Sequence, residues 1–438
     1  MHIMFFTERA YHGNPEVLEN EIFKRRSFFG VPNKFFDAQK GAQLLNEYID
    51  EKIYCDELGF DGVMLNEHHG TPFCMGAVMD VEASVLARAT KKVKIVLLGN
   101  PTPVVSNPLR LAEELAMIDM LSGGRLVPGF IRGAGSEQLF NNANPAYNRE
   151  YFDEAHDFII QAWTRPGPFR FEGKHFHYRF VNPWVLPLQK PHPPIWIPGL
   201  ISPETVVWTA QHKYPYVALA TMLKPTLELW NMYAKIAADQ GYQAGPENFG
   251  YLQPVFCHET DEKAAEFGKA FLFGGGFSHF ARPEWMFPPG YNSKEATRRL
   301  ASQFANPNLP GRSTVDHDPE SDAEVQELKQ RLYNSYPDWQ KQGQIVTGSP
   351  KTLVKKLRYI FEVLRPGIFS FWLDGPVPLK DRRTCVKLLG EEVVPALREI
   401  AKEMGLSSPF EIKPGTRPMP ASGKYEPVGN AELLEASA

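Results

Sequence analysis

The sequence predicts an α/β fold: a (β/α)8 barrel of the TIM type, with an insertion before its last unit. Short apolar runs alternate with longer amphipathic runs, the signature of parallel strands joined by helices. The alternation repeats eight times in one chain, which argues for a closed barrel. The chain has 438 residues, 43% of them hydrophobic, enough for one large core.

"IMFF" at 3–6 reads as the first strand. The stretch 9–37 is a long, basic and aromatic loop that includes "FKRRSFFGVPNKFF". "AQLLNEYIDEKIYCDELGF" carries apolar residues at helical spacing and stops at Gly59. "GVML" is strand two, a helix covers 80–90, and "VKIVLLG" at 93–99 is strand three. "NPLRLAEELAMIDMLSGG" is helical from Pro108 and stops between Ser122 and Gly124. "RLVPGF" is strand four, and a helix over about 149–163 follows a long loop. "PIWIPG" and "SPETVVWTAQHK" give strand five and its helix. "PYVAL" and residues 224–240 give the sixth pair. "FGYLQPVFC" is strand seven, "SPKTLVKKLRYIFEVL" a helix, "GIFSFWL" strand eight, and 384–404 the last helix. Residues 1–404 then form one barrel. Residues 269–340, rich in Phe, Pro, Gly and charge, form an insertion over its mouth, and 405–438 a Pro-rich polar tail.

The net charge of −4, with both signs mixed, argues against a nucleic-acid or membrane surface. Four cysteines, Cys55, Cys74, Cys257 and Cys385, show no metal-ligand spacing and point to a reduced compartment. There is no run of about 18 apolar residues. The opening "MHIMFFTERA" lacks a signal-peptide pattern, so a cytoplasmic location is expected.

Barrels of this kind carry their chemistry at the C-terminal ends of the strands. Glu67, His68 and His69 follow strand two, Asn100 follows strand three, and Arg132 and Gly133 follow strand four. Ser202 follows strand five, and Phe371, Trp372 and Asp374 end strand eight. Ser202-Pro203-Glu204-Thr205 is a helix start. Ser202 either caps it or leaves its N–H groups to bind a phosphate. Arg132 either pairs with a surface acid or lies beneath a polar ligand that the neighbouring glycines let approach. Glu67-His68-His69 is not a zinc helix motif, because its histidines are adjacent rather than four apart. Adjacent strand residues face opposite sides, so at most one histidine would aim along the axis unless the loop turns sharply. Such histidines either satisfy local structure or move protons. "GKHFHY" at 173–178 reads as a structural hairpin.

In combination, "ELGFDGVMLNEHHG", "NPLRLAEELAMIDMLSGGRLVPGFIRGAGS", "NREYFDEAHDFIIQAW", "FEGKHFHY", "PLQKPHPPIWIPGLISPET" and "TGSPKTLVKKL" resemble the bacterial luciferase-like flavin monooxygenase family. The resemblance covers 1–260 and 341–404. It implies reduced FMN at the barrel mouth, supplied by a separate flavin reductase, and reaction with O2 on a small molecule, in a homodimer. It implies that His68 serves the oxygen chemistry, with Glu67 and His69 orienting it. Asn100, Arg132 and Gly133 would face the flavin; Ser202, Thr205, Tyr147 and Arg149 would hold its phosphate. A cis peptide between Gly99 and Asn100 is also implied. Ile131 stands where luciferase has a reactive cysteine, which argues against light emission. Phe35, Phe36, Phe371 and Trp372 are expected to wall an apolar or aromatic substrate, leaving hydroxylation, Baeyer–Villiger insertion and heteroatom oxidation open. Two other activities fit parts of the pattern: a deazaflavin (F420)-dependent dehydrogenase, and a metal-dependent hydrolase using His68, His69 and Asp374. A third possibility is a non-catalytic flavin-binding subunit.

Overall fold

The structure is a computed structural model that describes residues 1–200, 202–219, 222–275, 285, 288–291 and 319–411. Its centre is eight parallel strands: β1 His2–Phe6, β2 Gly62–Leu65, β3 Lys94–Leu97, β4 Leu126–Val127, β5 Ile197–Gly199, β6 Tyr216–Leu219, β7 Phe249–Cys257 and β8 Ile368–Trp372. Their order is β4-β3-β2-β1-β8-β7-β6-β5. A bridge between Gly129 and Trp196 joins the two ends, with the Trp196 N–H donating to the Pro128 carbonyl at 3.1 Å. Glycine is required at this seam. A Cβ at Gly129 would stand 2.2 Å from the Leu97 carbonyl oxygen and 2.8 Å from that of Trp196.

Strand alternation divides the core in two. Met4, Phe6, Met64, Val96, Val127, Trp196, Val217, Leu252, Ile368 and Trp372 fill the lumen. Ile3, Phe5, Val63, Leu65, Ile95, Leu97, Phe369 and Phe371 pack outward against the helices. The helices through β7 are α1 Pro15–Arg25, α2 Ala38–Glu57, α3 Met79–Ala89, α4 Pro108–Ser122, α5 Gly135–Phe140, α6 Asn148–Thr164, α7 Pro203–Gln211, α8 Leu223–Asp239 and α9 Asp261–Gly275. At the floor of the barrel Phe410 packs on Trp196 and His2, with ring centroids 5.6 and 4.8 Å away, so the first residues of the expected tail belong to the packed body.

Two stretches read as irregular are helical. The loop after β1 contains α1, whose start has Asn14 as N-cap and Pro15 in the first turn. Part of the expected insertion forms helices Asp322–Asn334 and Tyr336–Lys341. The first of these docks on α1 through Lys329–Glu19 at 3.1 Å and Lys24–Asp322 at 2.9 Å. The last predicted helix begins earlier, as Leu379–Leu388, and passes through a π-helical turn at Leu389–Val393 into Val394–Glu403. Most of 276–318, including the end of "FLFGGGFSHF", and all of 412–438 lie outside the described residues. The expected hairpin is present as Phe169–Glu172 paired with His177–Val181. All four cysteines are buried thiols. Among the described residues the cis bonds precede Pro168 and Pro191; the bond between Gly99 and Asn100, expected to be cis, is trans. No described helix is long and apolar enough to cross a membrane.

Candidate functional site

The strands deliver two polar clusters to the mouth. The first surrounds His68. Its Nδ1 lies 2.9 Å from Glu137 Oε1, and its Nε2 lies 3.8 Å from Glu8 Oε2. Glu8 leaves β1, where its N–H donates to Asp374 Oδ2 at 2.9 Å and its carboxylate accepts from the Asn66 amide. Glu137 projects from α5 and is fully buried. Burial disfavours the His68 imidazolium, but the hydrogen bond and charge of Glu137, with the charge of Glu8, outweigh it and raise the pKa above 6.5. Burial, reinforced by Asp374, pushes Glu8 up to about 7, against the pull of His68. A carboxylic acid pushed up to about 7 and an imidazole raised above its ordinary value therefore face each other, a pair suited to holding and passing a proton.

The orienting roles expected in this loop are corrected. Glu67 does not hold His68. Its Oε1 lies 3.3 Å from His69 Nε2, and its Oε2 accepts from the Met79 N–H at 3.2 Å. That second bond caps α3, whose N-cap residue Val78 has no polar side chain. The loop turns sharply enough to bring both histidines to Glu137, His69 Nε2 being 4.0 Å from its Oε2. Hydrogen bonding to Glu67 raises the His69 pKa.

Paired charges support this cluster from below. Arg9, in the left-handed region at φ 60°, is buried with Nε 3.0 Å from Glu82, and Lys52 meets the same carboxylate at 3.0 Å. Arg382 pairs with Glu51 at 2.6 and 3.0 Å and lies over the Tyr48 ring. Such pairs fix geometry because breaking one strands a buried charge.

The second cluster is basic. Arg132 donates to Asn148 Oδ1 at 3.3 Å and to Ser202 Oγ at 3.4 Å. It lies 5.4 Å from the centre of the Tyr291 ring, and the Tyr291 hydroxyl donates to the Gly133 carbonyl. Gly133 adopts φ 74°, a left-handed turn that glycine makes freely. Burial, then the neighbouring Arg132, lowers the pKa of Arg149. Neither arginine has a carboxylate within ion-pair distance among the described residues. Ser202 is the N-cap of α7 by position, but its hydroxyl makes no capping bond and donates to Glu204 Oε2 at 3.0 Å. Thr205 lies in the first turn, its N–H on the Ser202 carbonyl. Tyr147 is 44% exposed and packs against His175 at 5.9 Å.

Residues after β3 and on α5 hold buried polar atoms with no hydrogen-bond partner among the described residues: Asn100 Nδ2, Thr102 Oγ1, Ser136 Oγ and Gln138 Oε1. Unsatisfied buried groups of this kind are costly unless a ligand or water meets them. With two arginines and a helix start at one end, this set of donors and acceptors fits a flat polar ring carrying a phosphate.

The apolar wall differs from expectation. Phe371 points outward into the helix layer, Trp372 lies in the lumen, and Phe35 packs on the cluster of Tyr11, Leu18, Leu44 and Tyr48. Phe36 covers Tyr11, 4.8 Å between ring centres. The wall beside His68 is Phe73, at 6.0 Å, backed by Phe28 at 5.0 Å. A pocket lined by Tyr11, His12, Ile22, Phe28, Pro72 and Phe73 adjoins it. The metal-hydrolase alternative finds no convergence of its residues. Asp374 turns to the N–H groups of Glu8 and Gly375 and to the Trp372 indole. The described His/Asp/Glu group with ligand-like spacing is His156, Asp157 and His212, on the outer helices. There His156 Nδ1 and Nε2 are already engaged by Asp157 and the Tyr214 hydroxyl, each at 3.0 Å.

Sequence reasoning missed Glu8, Glu137, Asn148, Glu204 and Tyr291. Glu8 was detectable by the rule that found His68, since it too follows a strand into the mouth. Glu137 lies on a short helix that the glycines of "RGAGS" concealed.

Residues 32–364 match the family model described as luciferase-like monooxygenase. The chain is 30% identical over 178 residues, 40% of its length and 48% of the relative's, to the oxygenase component of the flavin-dependent trigonelline monooxygenase of Acinetobacter baylyi. It spans about half the length of the curated relatives it first matches. The fold superposes on the oxygenating constituent of 3,6-diketocamphane monooxygenase from Pseudomonas putida, solved in complex with FMN, with TM-score 0.61 and 18% identity, over 90% of this chain and 98% of that one. It also superposes on an F420-dependent secondary alcohol dehydrogenase, with TM-score 0.60 and 16% identity, over 91% and 99%.

Proposed function

Because the chain belongs to the luciferase-like monooxygenase family, we propose that it is the oxygenase component of a two-component flavin-dependent monooxygenase. It takes reduced FMN from a separate flavin reductase and, with O2, oxygenates an apolar or aromatic small molecule. The observation that carries this reading is the pairing, in one mouth, of an anion-ready end with a proton-holding end. Arg132, Arg149 and Ser202 form the first. His68, held between Glu8 and Glu137, forms the second.

Reduced flavin, when bound, supplies the electrons that activate dioxygen. Arg132, Arg149, Ser202 and the start of α7 hold its phosphate. Asn100 Nδ2, buried and unpartnered among the described residues, serves the polar edge of the ring system. His68 Nε2 gives or takes a proton, and Glu8 keeps the imidazole supplied. Phe73 and Phe28 exclude water from the side of His68 where the apolar substrate lies.

The test supplies the purified protein with FMN reduced by an unrelated reductase and a panel of apolar and aromatic compounds. Oxygen uptake matched by an oxygenated product supports the proposal. Hydride transfer to or from F420 without oxygen uptake would replace it with the dehydrogenase reading.

A further inference from the structure

The basic cluster already contains an anion of the chain's own. Glu204 is the second residue of α7, and its carboxylate folds back over the helix start. It accepts the Ser202 hydroxyl at 3.0 Å and is bonded by its own backbone N–H. Arg132 reaches the same Ser202 hydroxyl at 3.4 Å, and the charges of both Arg149 and Arg132 act on the Glu204 carboxylate. Burial opposes its ionisation, but these donors overcome the cost and hold its pKa below the ordinary value, so it is charged at neutral pH. Among the described residues neither arginine forms an ion pair with it; Arg132 spends its two terminal nitrogens on Asn148 and Ser202, both neutral side chains.

A first-turn glutamate commonly stabilises a helix through the macrodipole. Here its position has a second consequence. The Ser202 hydroxyl and a first-turn N–H, the donors that would receive a phosphate, are spent on Glu204. A phosphate carrying between one and two negative charges would repel a carboxylate a few ångströms away at the same donors, an effect that solvent moderates because Glu204 is exposed.

We propose that Glu204 is a built-in competitor for the phosphate subsite, standing in for the anion when no ligand is bound and displaced when one enters. The inference rests on the flavin phosphate reading of the mouth and deepens it. Two arginines and a helix start would otherwise grip a phosphorylated flavin as a resident group. Displacing Glu204 costs part of that affinity, so the flavin enters reduced and leaves oxidised within a turnover. That behaviour suits a protein fed by a separate reductase and not one that retains its cofactor.

The test measures equilibrium binding of oxidised FMN, riboflavin and inorganic phosphate to the wild-type chain, to Glu204→Gln and to Glu204→Ala. Both variants are expected to bind FMN about tenfold more tightly and phosphate more tightly too, with riboflavin affinity unchanged and FMN release slowed in proportion. Two variants of different size guard against a local folding defect, which would weaken all three ligands together. Unchanged or weaker FMN binding in both, with the wild type still preferring FMN to riboflavin, overturns the role of Glu204 and leaves the phosphate site standing. A wild type that does not prefer FMN to riboflavin overturns the phosphate reading and this proposal with it.

Discussion

Replacing Glu8 by Gln tests the proton-holding end of the mouth. Its carboxyl is buried at the end of β1 and pushed from 4.5 to about 7. At 1.36 kcal/mol per pH unit, that rise corresponds to about 3 kcal/mol of pH-dependent stability. The folded chain keeps the Glu8 proton up to about pH 7, whereas the unfolded chain releases it near 4.5. Between those values the folded state binds more protons, so the contribution is full below the unfolded pKa and is lost as pH rises through the folded one. Gln cannot titrate. The stability of wild type relative to Glu8→Gln should therefore fall by about 3 kcal/mol between about pH 4 and pH 8. His68 titrates in both proteins, and its raised pKa drops somewhat in the variant because one of the charges supporting it is gone. Denaturant unfolding across this range measures the difference. Infrared absorption of the protonated carboxyl assigns it, since the band lost near pH 7 should be missing from the variant. Asp80, also pushed to about 7 by burial, cancels in the comparison. Parallel stability curves for the two proteins, or an unchanged infrared band, would refute the assignment of a neutral Glu8 beside His68.

His68→Ala should lower product formation on the order of a hundredfold while the FMN dissociation constant stays within about threefold. A large loss of binding instead would make His68 a flavin contact. Ser202→Ala should weaken FMN by roughly tenfold, the value of a hydrogen bond to a charged group, and leave riboflavin unaffected, as titration of both would reveal. Glu51→Ala strands Arg382 in the core and should cost about 3–5 kcal/mol in unfolding free energy. A cost under 1 kcal/mol would show that the pair is not desolvated as the structure places it.

The barrel was legible because its strands are predominantly apolar runs bounded by turn residues. "GVML" and "FGYLQPVFC" match β2 and β7 residue for residue. The α1 helix was missed because aromatic and basic residues masked a capped start at Asn14-Pro15. The strand-end rule gave the position of the proposed site residues along the chain: His68, Asn100, Arg132 and Ser202 follow β2, β3, β4 and β5. Their partners were harder to find. Glu137 meets His68 across 69 positions of sequence, and Tyr291 meets Gly133 across 158. No local pattern reports contacts of that range. The apolar wall was misplaced for a simpler reason. Phe371 and Trp372 are consecutive on β8 and must face opposite sides, so they could not both line one pocket.

The most direct measurement is the electron density of a crystal soaked in FMN. The expected density shows a phosphate against Arg132, Arg149 and Ser202, the Glu204 carboxylate turned away, and the ring system lying between Asn100 and His68. Flavin bound elsewhere on the chain, or a mouth whose clusters stay closed on each other with Glu204 in place, would contradict it.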